Sequence, residues 1–141
     1  MRAITIAQPF ASLIICGAKR YEARTWNTRH RGPLAIHAAL SPHPKLPEYF
    51  YQWRSELRAA GFAKADQLPL GAFVGVVDVV ACRPAVEVMV TDYDLELTGD
   101  TEYCYLFILA NPRPLRPPLR ARGAQSLWIP TEADAAELRA I

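Results

Sequence analysis

The apolar and polar positions of this chain alternate in short runs, and the runs predict short elements. Ile4 and Ile6 alternate with Thr5 and Ala7, which predicts a first strand. Pro9 fits the first helical position, where its missing N–H costs nothing. Phe10, Leu13 and Ile14 then share a helical face, and Gly17 can take the left-handed exit, so a helix of about two turns is expected. Residues 20–26 read as extended, with Glu22, Arg24 and Trp26 on one face and Tyr21, Ala23 and Thr25 on the other. Lys19 has the wrong parity to join Glu22 by alternation, but it can approach from the turn after the helix. A polar loop from Asn27 to Gly32 leads into a buried strand, with Leu34, Ile36 and Ala38 opposite His37.

Beyond a proline-broken loop from Ser41 to Lys45, Pro47 can open a second helix. Phe50, Trp53 and Leu57 give it an apolar face and Gly61 stops it. After a turn at Leu68–Gly71, the run from Gly71 to Cys82 is long, β-branched and apolar on both faces, which predicts a central strand. Gly75 within it suggests a bulge or bend. Residues 83–102 read as an acidic loop or short helix. Tyr103 to Ala110 reads as a buried strand. The proline-rich stretch after Asn111 reads as an extended edge, and Ser126 to Ile129 as the last strand. Thr131 with Asp134 predicts the cap of a terminal helix ending near Ile141. Neither a repeat nor a linker divides the chain, so residues 1–141 read as one domain. The expected class is α+β, with a small barrel-like sheet.

Net charge is only +2, so no global field demands a polyanion. Its distribution changes the picture. Lys19, Arg20, Arg24, Arg29 and Arg31 face Glu22 alone within residues 19–31, and Arg113, Arg116, Arg120 and Arg122 meet no acid within 112–123. Acids gather instead in 83–102. Two basic segments point to an anionic partner, because clustered cations set the local potential whatever the total. Three widely spaced cysteines argue against a disulfide framework and fit a reducing, cytoplasmic setting. No zinc-type spacing joins Cys or His, and no metal or cofactor is expected. No apolar run is long enough for a membrane span.

The residues carry a resemblance to a known family. Gln8-Pro9, Leu13-Ile14 and Gly17-x-Lys19-x-x-Glu22-x-Arg24-x-Trp26 are followed by Arg31-Gly32 and Leu34-x-Ile36. Leu70-Gly71, Gly75-Val76-Val77-Asp78, Asn111-Pro112, Gly123 and Leu127-Trp128 come later in the same order. From Ile4 to about Ile129 the chain resembles the ASCH domain, and most closely its activating signal cointegrator type. The resemblance implies a PUA-like fold, a small mixed β-barrel flanked by short helices, with a cleft beside the first helix. It also implies association with RNA or other nucleic acid. One branch of the family is an amidohydrolase acting on N4-acetylcytidine, with a catalytic Lys and Thr in the first motif and a Glu later. Here Lys19 matches the Lys, Glu22 stands in place of the Thr, and Glu87, Asp94 and Glu96 are candidates for the later acid.

The candidate site is therefore Lys19, Glu22, Arg24, Trp26, Arg29 and Arg31, with Ser126 and Gln125 near where the cleft would close. Lys19 and Glu22 read either as an ion pair holding turn to strand or as an acid–base couple. The arginines can grip phosphates, and Trp26 can stack on a base or fill the core. His37 reads as a hydrogen-bonded core residue. Asp78, a carboxylate among valines, needs a cation, and an arginine of the first block is the expected one. The Arg–Pro tract reads as a soluble edge or an accessory phosphate track. Three functions stay open: binding of RNA or single-stranded nucleic acid, hydrolysis of RNA or an acylated pyrimidine nucleoside with Lys19 as base or nucleophile, and a protein-interaction module of the coactivator type.

Overall fold

A computed structural model describes residues 1–91 and 104–141. The described elements run β1 (Arg2–Ile6), α1 (Phe10–Ile15), β2 (Tyr21–Arg24), β3 (Gly32–Ala38), α2 (Leu46–Gln52), α3 (Arg54–Ala59), β4 (Ala72–Pro84), α4 (Ala85–Thr91), β5 (Tyr105–Arg120), β6 (Leu127–Trp128) and α5 (Glu132–Arg139). The strands form one mixed sheet in the order β2-β5-β4-β3-β1-β6. β1 and β3 are parallel, and the other pairings are antiparallel. The sheet curls into a half-barrel with short helices at its sides, the α+β, PUA-like arrangement expected.

Burial follows from strand parity. Ile4, Ile6, Leu34 and Ile36 lie under α1, with Ile14, Ile15, Val77 and Phe107 in the same cluster. Ala3, Ala35, Phe73 and Val76 face the other way and pack with Leu138 of α5. Each buried Ile, Leu, Val or Phe side chain here contributes about 1.5–3 kcal/mol. Phe73 and Val76 share a face although they are three residues apart, because a bulge interrupts the pairing of β4 with β3 between Ile36 and His37. An extra residue in a strand reverses which face the following side chains meet.

Four expectations change in detail. Pro9 caps α1 from outside rather than opening it, and α1 is buried on more than one face: Leu13 packs with Leu57 and Leu68, away from the sheet. The helix expected from Pro47 to Gly61 breaks at Trp53, which ends α2 and precedes α3. The proline-rich tract is not separate from the strand before it. β5 continues through it and pairs with β4 at Arg113–Pro114 and again at Leu119–Arg120, with register shifts on either side of Arg113–Pro114, while β2 covers only Tyr105 to Ile108 on its other edge. Its four prolines lack N–H groups, which suits the part that β2 leaves uncovered. Asp78 takes its cation from that tract and not from the first block. Arg113 Nη2 donates to it at 3.1 Å and Asn111 Nδ2 at 3.2 Å. Register decides this, since Asp78 pairs with Ala110 and Val76 with Arg113.

Of the acidic stretch, Arg83 and Pro84 end β4 and Glu87 lies on α4. Asp92, Asp94, Glu96, Asp100 and Glu102 lie outside the described residues. No disulfide joins the cysteines. Among the described residues, no helix is long and apolar enough to cross a membrane.

Candidate functional site

The turn after α1 and the strand that follows it bring three of the predicted residues together. The backbone N–H of Lys19 donates to the Leu13 carbonyl at 3.0 Å, which folds the chain back onto the helix it has just left. That return lets Lys19 reach Glu22 despite its parity. Its Nζ donates to Glu22 Oε1 at 3.2 Å and to the Tyr21 carbonyl. Arg24 lies on the same strand face as Glu22 and donates from Nε and Nη2 to Oε2 at 3.2 and 2.9 Å. Its Nη2 also reaches the Thr5 carbonyl at 2.9 Å, tying β2 to β1 across the molecule. The Glu22 side chain is 12% exposed, and those of Lys19 and Arg24 are 26% and 25% exposed. One nearly buried carboxylate thus holds two partly exposed cationic side chains, and the cluster carries surplus positive charge.

An aromatic wall adjoins it. Lys19 Nζ sits 5.6 Å from the centre of the Phe10 ring. Phe10 meets Tyr49 edge-on at 4.9 Å and His43 at 5.8 Å, and His43 meets Tyr49 at 5.1 Å. Spacing along the sequence did not find this wall, because α2 carries Tyr49 to α1 from a distant part of the chain. The one local signal was Phe10 beside Gln8-Pro9. Gln8 is fully buried and explains why α1 is held so firmly. Its Oε1 accepts from Ser12 N at 3.0 Å, and its Nε2 donates to Ser12 Oγ at 2.8 Å and to the Pro69 carbonyl at 3.0 Å.

The other predicted residues are placed differently. Trp26 packs on the core, edge-on to Phe107 at 5.3 Å, so most of its ring braces the sheet. Arg29 is exposed and bonds to no described residue. Arg31, also exposed, folds back onto the carbonyls of Thr28 and His30 at 3.0 and 2.9 Å. Ser126 is exposed in the left-handed region (φ 57°), one residue before β6. Because Ile4 pairs with Leu127, Ser126 comes next in register to Thr5, the residue whose carbonyl Arg24 holds. Two cavities open elsewhere, and neither is lined by Lys19, Glu22 or Arg24. No group of His, Cys, Asp and Glu among the described residues could hold a metal.

On the far face of β1, a chain of hydrogen bonds fixes His37. Trp128 Nε1 donates to Thr5 Oγ1 at 3.1 Å, and Thr5 Oγ1 lies 3.2 Å from His37 Nδ1. His37 Nε2 lies 2.7 Å from the Ala121 carbonyl. Indole only donates and a carbonyl only accepts, so the Thr5 proton goes to Nδ1 and the imidazole carries its own on Nε2. His37 is the buried, hydrogen-bonded residue expected, and burial pushes its pKa down against the weaker opposing pull of the Ala121 carbonyl. The unfolded chain therefore protonates first. The stability gained from neutral His37 is complete above the ordinary histidine value of about 6.5 and is lost as pH falls through the lower folded value. Thermal melts from pH 8 to 5 should show wild-type stability falling below about pH 6.5, by at most about 1.4 kcal/mol per unit from this group. His37→Gln should be less stable at pH 8 and should lack that component. An unchanged pH profile in the variant would contradict the assignment.

Comparisons with known proteins agree with this architecture. The sequence profile of the ASCH domain matches residues 4–119. Human Activating signal cointegrator 1 is 29% identical over 126 residues, which is 89% of this chain but 21% of the relative, and the mouse protein matches to the same extent. The chain thus spans about a fifth of the length of these curated relatives. The crystal structure of ASCH from Zymomonas mobilis superposes with a TM-score of 0.61 at 15% identity, covering 99% of this chain and 94% of that one. A Tyr-to-Phe mutant of that protein superposes at 0.60, also at 15% identity, covering 99% and 96%. At that identity the likeness shows the fold. With the profile matched across most of its length, the chain belongs to the ASCH domain family.

Proposed function

We propose that this domain binds single-stranded RNA at the Lys19–Glu22–Arg24 cluster. The observation that carries the reading is the pair of partly exposed cations held on one carboxylate beside the Phe10–His43–Tyr49 wall. Ammonium and guanidinium groups take phosphate oxygens, and aromatic rings take base faces, the combination that single-stranded recognition uses. Glu22 keeps both cations in place and is itself an acceptor for a base amino group. Trp26 braces the strand and offers its remaining exposed surface at the lip. Arg29, Arg31 and Ser126 extend the surface on either side. Membership of the ASCH family supports a nucleic-acid partner. In fluorescence anisotropy with a short labelled single-stranded RNA, affinity should fall with salt by a log–log slope of about −0.7 for each phosphate held. Lys19→Ala should weaken binding and flatten that slope. Absence of binding at low salt would end the proposal.

A second reading is favoured by the 3.2 Å contact between Lys19 and Glu22. It makes the domain a small hydrolase of RNA or of an acylated pyrimidine nucleoside, with Lys19 as base or nucleophile and Glu22 as its partner. It requires turnover of an N-acylated cytidine or of RNA that disappears in Lys19→Ala while the melt is retained. Turnover unchanged in that variant removes this reading and leaves binding.

A further inference from the structure

A cavity of about 780 Å³ opens between Leu40, the Leu70–Gly71 turn and residues 120–125. Its size falls within the range of small-ligand sites, roughly 300–1,000 Å³. Arg120 and Arg122 line it, both exposed, and neither side chain makes a hydrogen bond or ion pair to any described residue; no acid is among its lining residues. Leu40 and Leu70 form an apolar wall facing solvent, 78% and 42% exposed. The polar groups on its floor are already engaged, Thr5 with Trp128 and His37, and His37 with Ala121. The floor is also tightly closed. A Cβ on Gly123 would come within 2.7 Å of Thr5 Oγ1 and 2.8 Å of His37 Cε1, so only glycine lets the segment lie on the histidine. What remains for a ligand is two guanidiniums, the exposed Gln125 carboxamide and a bare aliphatic surface.

We propose that this cavity is a second nucleotide subsite. Arg120 and Arg122 hold a phosphate, Leu40 and Leu70 support the base, and Gln125 reads its edge. The proposal rests on the RNA-binding reading above and adds a second point of contact to it. Thr5 belongs to both places, since its carbonyl is held by Arg24 and the residue is among those lining the cavity. The segment that bounds the cavity continues into Ser126, next in register to Thr5. The two places thus share one residue of β1, and an RNA strand held at Lys19 and Arg24 is proposed to reach the cavity with a neighbouring nucleotide. Charge complementarity selects the occupant, because an uncharged ligand would leave the two guanidiniums unused.

The test is anisotropy with a labelled single-stranded RNA of about eight nucleotides across a salt series, using the full chain. Arg120→Ala/Arg122→Ala should lose at least tenfold in affinity, and its salt slope should fall by about 1.4, two contacts at about 0.7 each. Arg54→Ala/Arg58→Ala removes the same charge from α3 and should stay within twofold of wild type. Leu40→Ser alters an exposed side chain and no charge; it should lose several-fold at unchanged slope, as only contact with the cavity wall predicts. If wild type binds RNA but the Arg120/Arg122 variant stays within twofold, or the α3 control falls as far, the subsite is overturned and the Lys19 site stands. If wild type does not bind RNA at all, the reading of the Lys19 cluster fails, and the subsite with it.

Discussion

Gly75→Ala is expected to lower the stability of this domain by about 3 kcal/mol, the upper end of ordinary overpacking. A Cβ built there would lie 2.3 Å from the Arg113 carbonyl oxygen and 2.8 Å from Ile15 Cδ1. The carbonyl belongs to β5 and cannot rotate away without giving up its pairing with β4, where Gly75 faces Pro114. Ile15 is buried under the same strand and has little room to yield. The residue also lies at the bulge that puts both Phe73 and Val76 on the α5 face, and the pairing with β5 shifts register there too, between Phe73 and Gly75. Straightening the strand to relieve the contact would misplace every side chain that follows. At about 4 °C per kcal/mol for a domain of this size, the melting temperature should fall by roughly 12 °C. Calorimetry on the purified variant measures this directly. A change under about 1 kcal/mol would mean that β5 moves aside freely, against the close packing of protein interiors.

Arg24→Ala should have the largest effect on ligand binding, a loss of tenfold to a hundredfold for single-stranded RNA, or about 1.4–2.7 kcal/mol. Three changes act together. A guanidinium leaves the site, the second oxygen of Glu22 loses its counter-ion and turns its charge toward an anionic ligand, and the Thr5 carbonyl loses its donor. Arg24→Lys should recover little, because a single ammonium on a flexible stem does not reproduce a planar fork spanning the carboxylate and the carbonyl. Melts of the same proteins separate this from unfolding. Glu22 keeps Lys19, so the stability loss should stay near 1–2 kcal/mol, up to about 1 from the partly exposed ion pair and about 1 from the hydrogen bond to the Thr5 carbonyl. Affinity within twofold of wild type would place the ligand elsewhere.

Much of the Lys19–Glu22–Arg24 cluster could be read from spacing along the chain. Alternation put Glu22 and Arg24 on one strand face, and the turn after Gly17 left Lys19 within reach of them. Both are consequences of backbone geometry over a few residues, and neither depends on what the rest of the molecule does. The apolar parity of β1 and β3, the burial of His37 and the glycine-marked bulge in β4 were legible for the same reason.

The long-range partners were not. Asp78 found Arg113 rather than an arginine of the first block, because bulges in β4 and β5 set the register between them and no local pattern encodes where two strands come into step. The break at Trp53 and the docking of α2 set Tyr49 and His43 against Phe10, so the aromatic wall beside Lys19 exists only once α2 has packed. Thr5 shows the division within one residue. Its place in the first strand follows from the alternation of its neighbours, whereas its two roles, carbonyl to Arg24 and hydroxyl to His37, arise when β1 is flanked by β3 and β6 and β2 folds across from the far side. Short-range order is dictated by each residue's own stereochemistry and hydropathy. Contacts between distant segments depend on which of many pairings buries the most surface, and that is settled only by the assembled sheet.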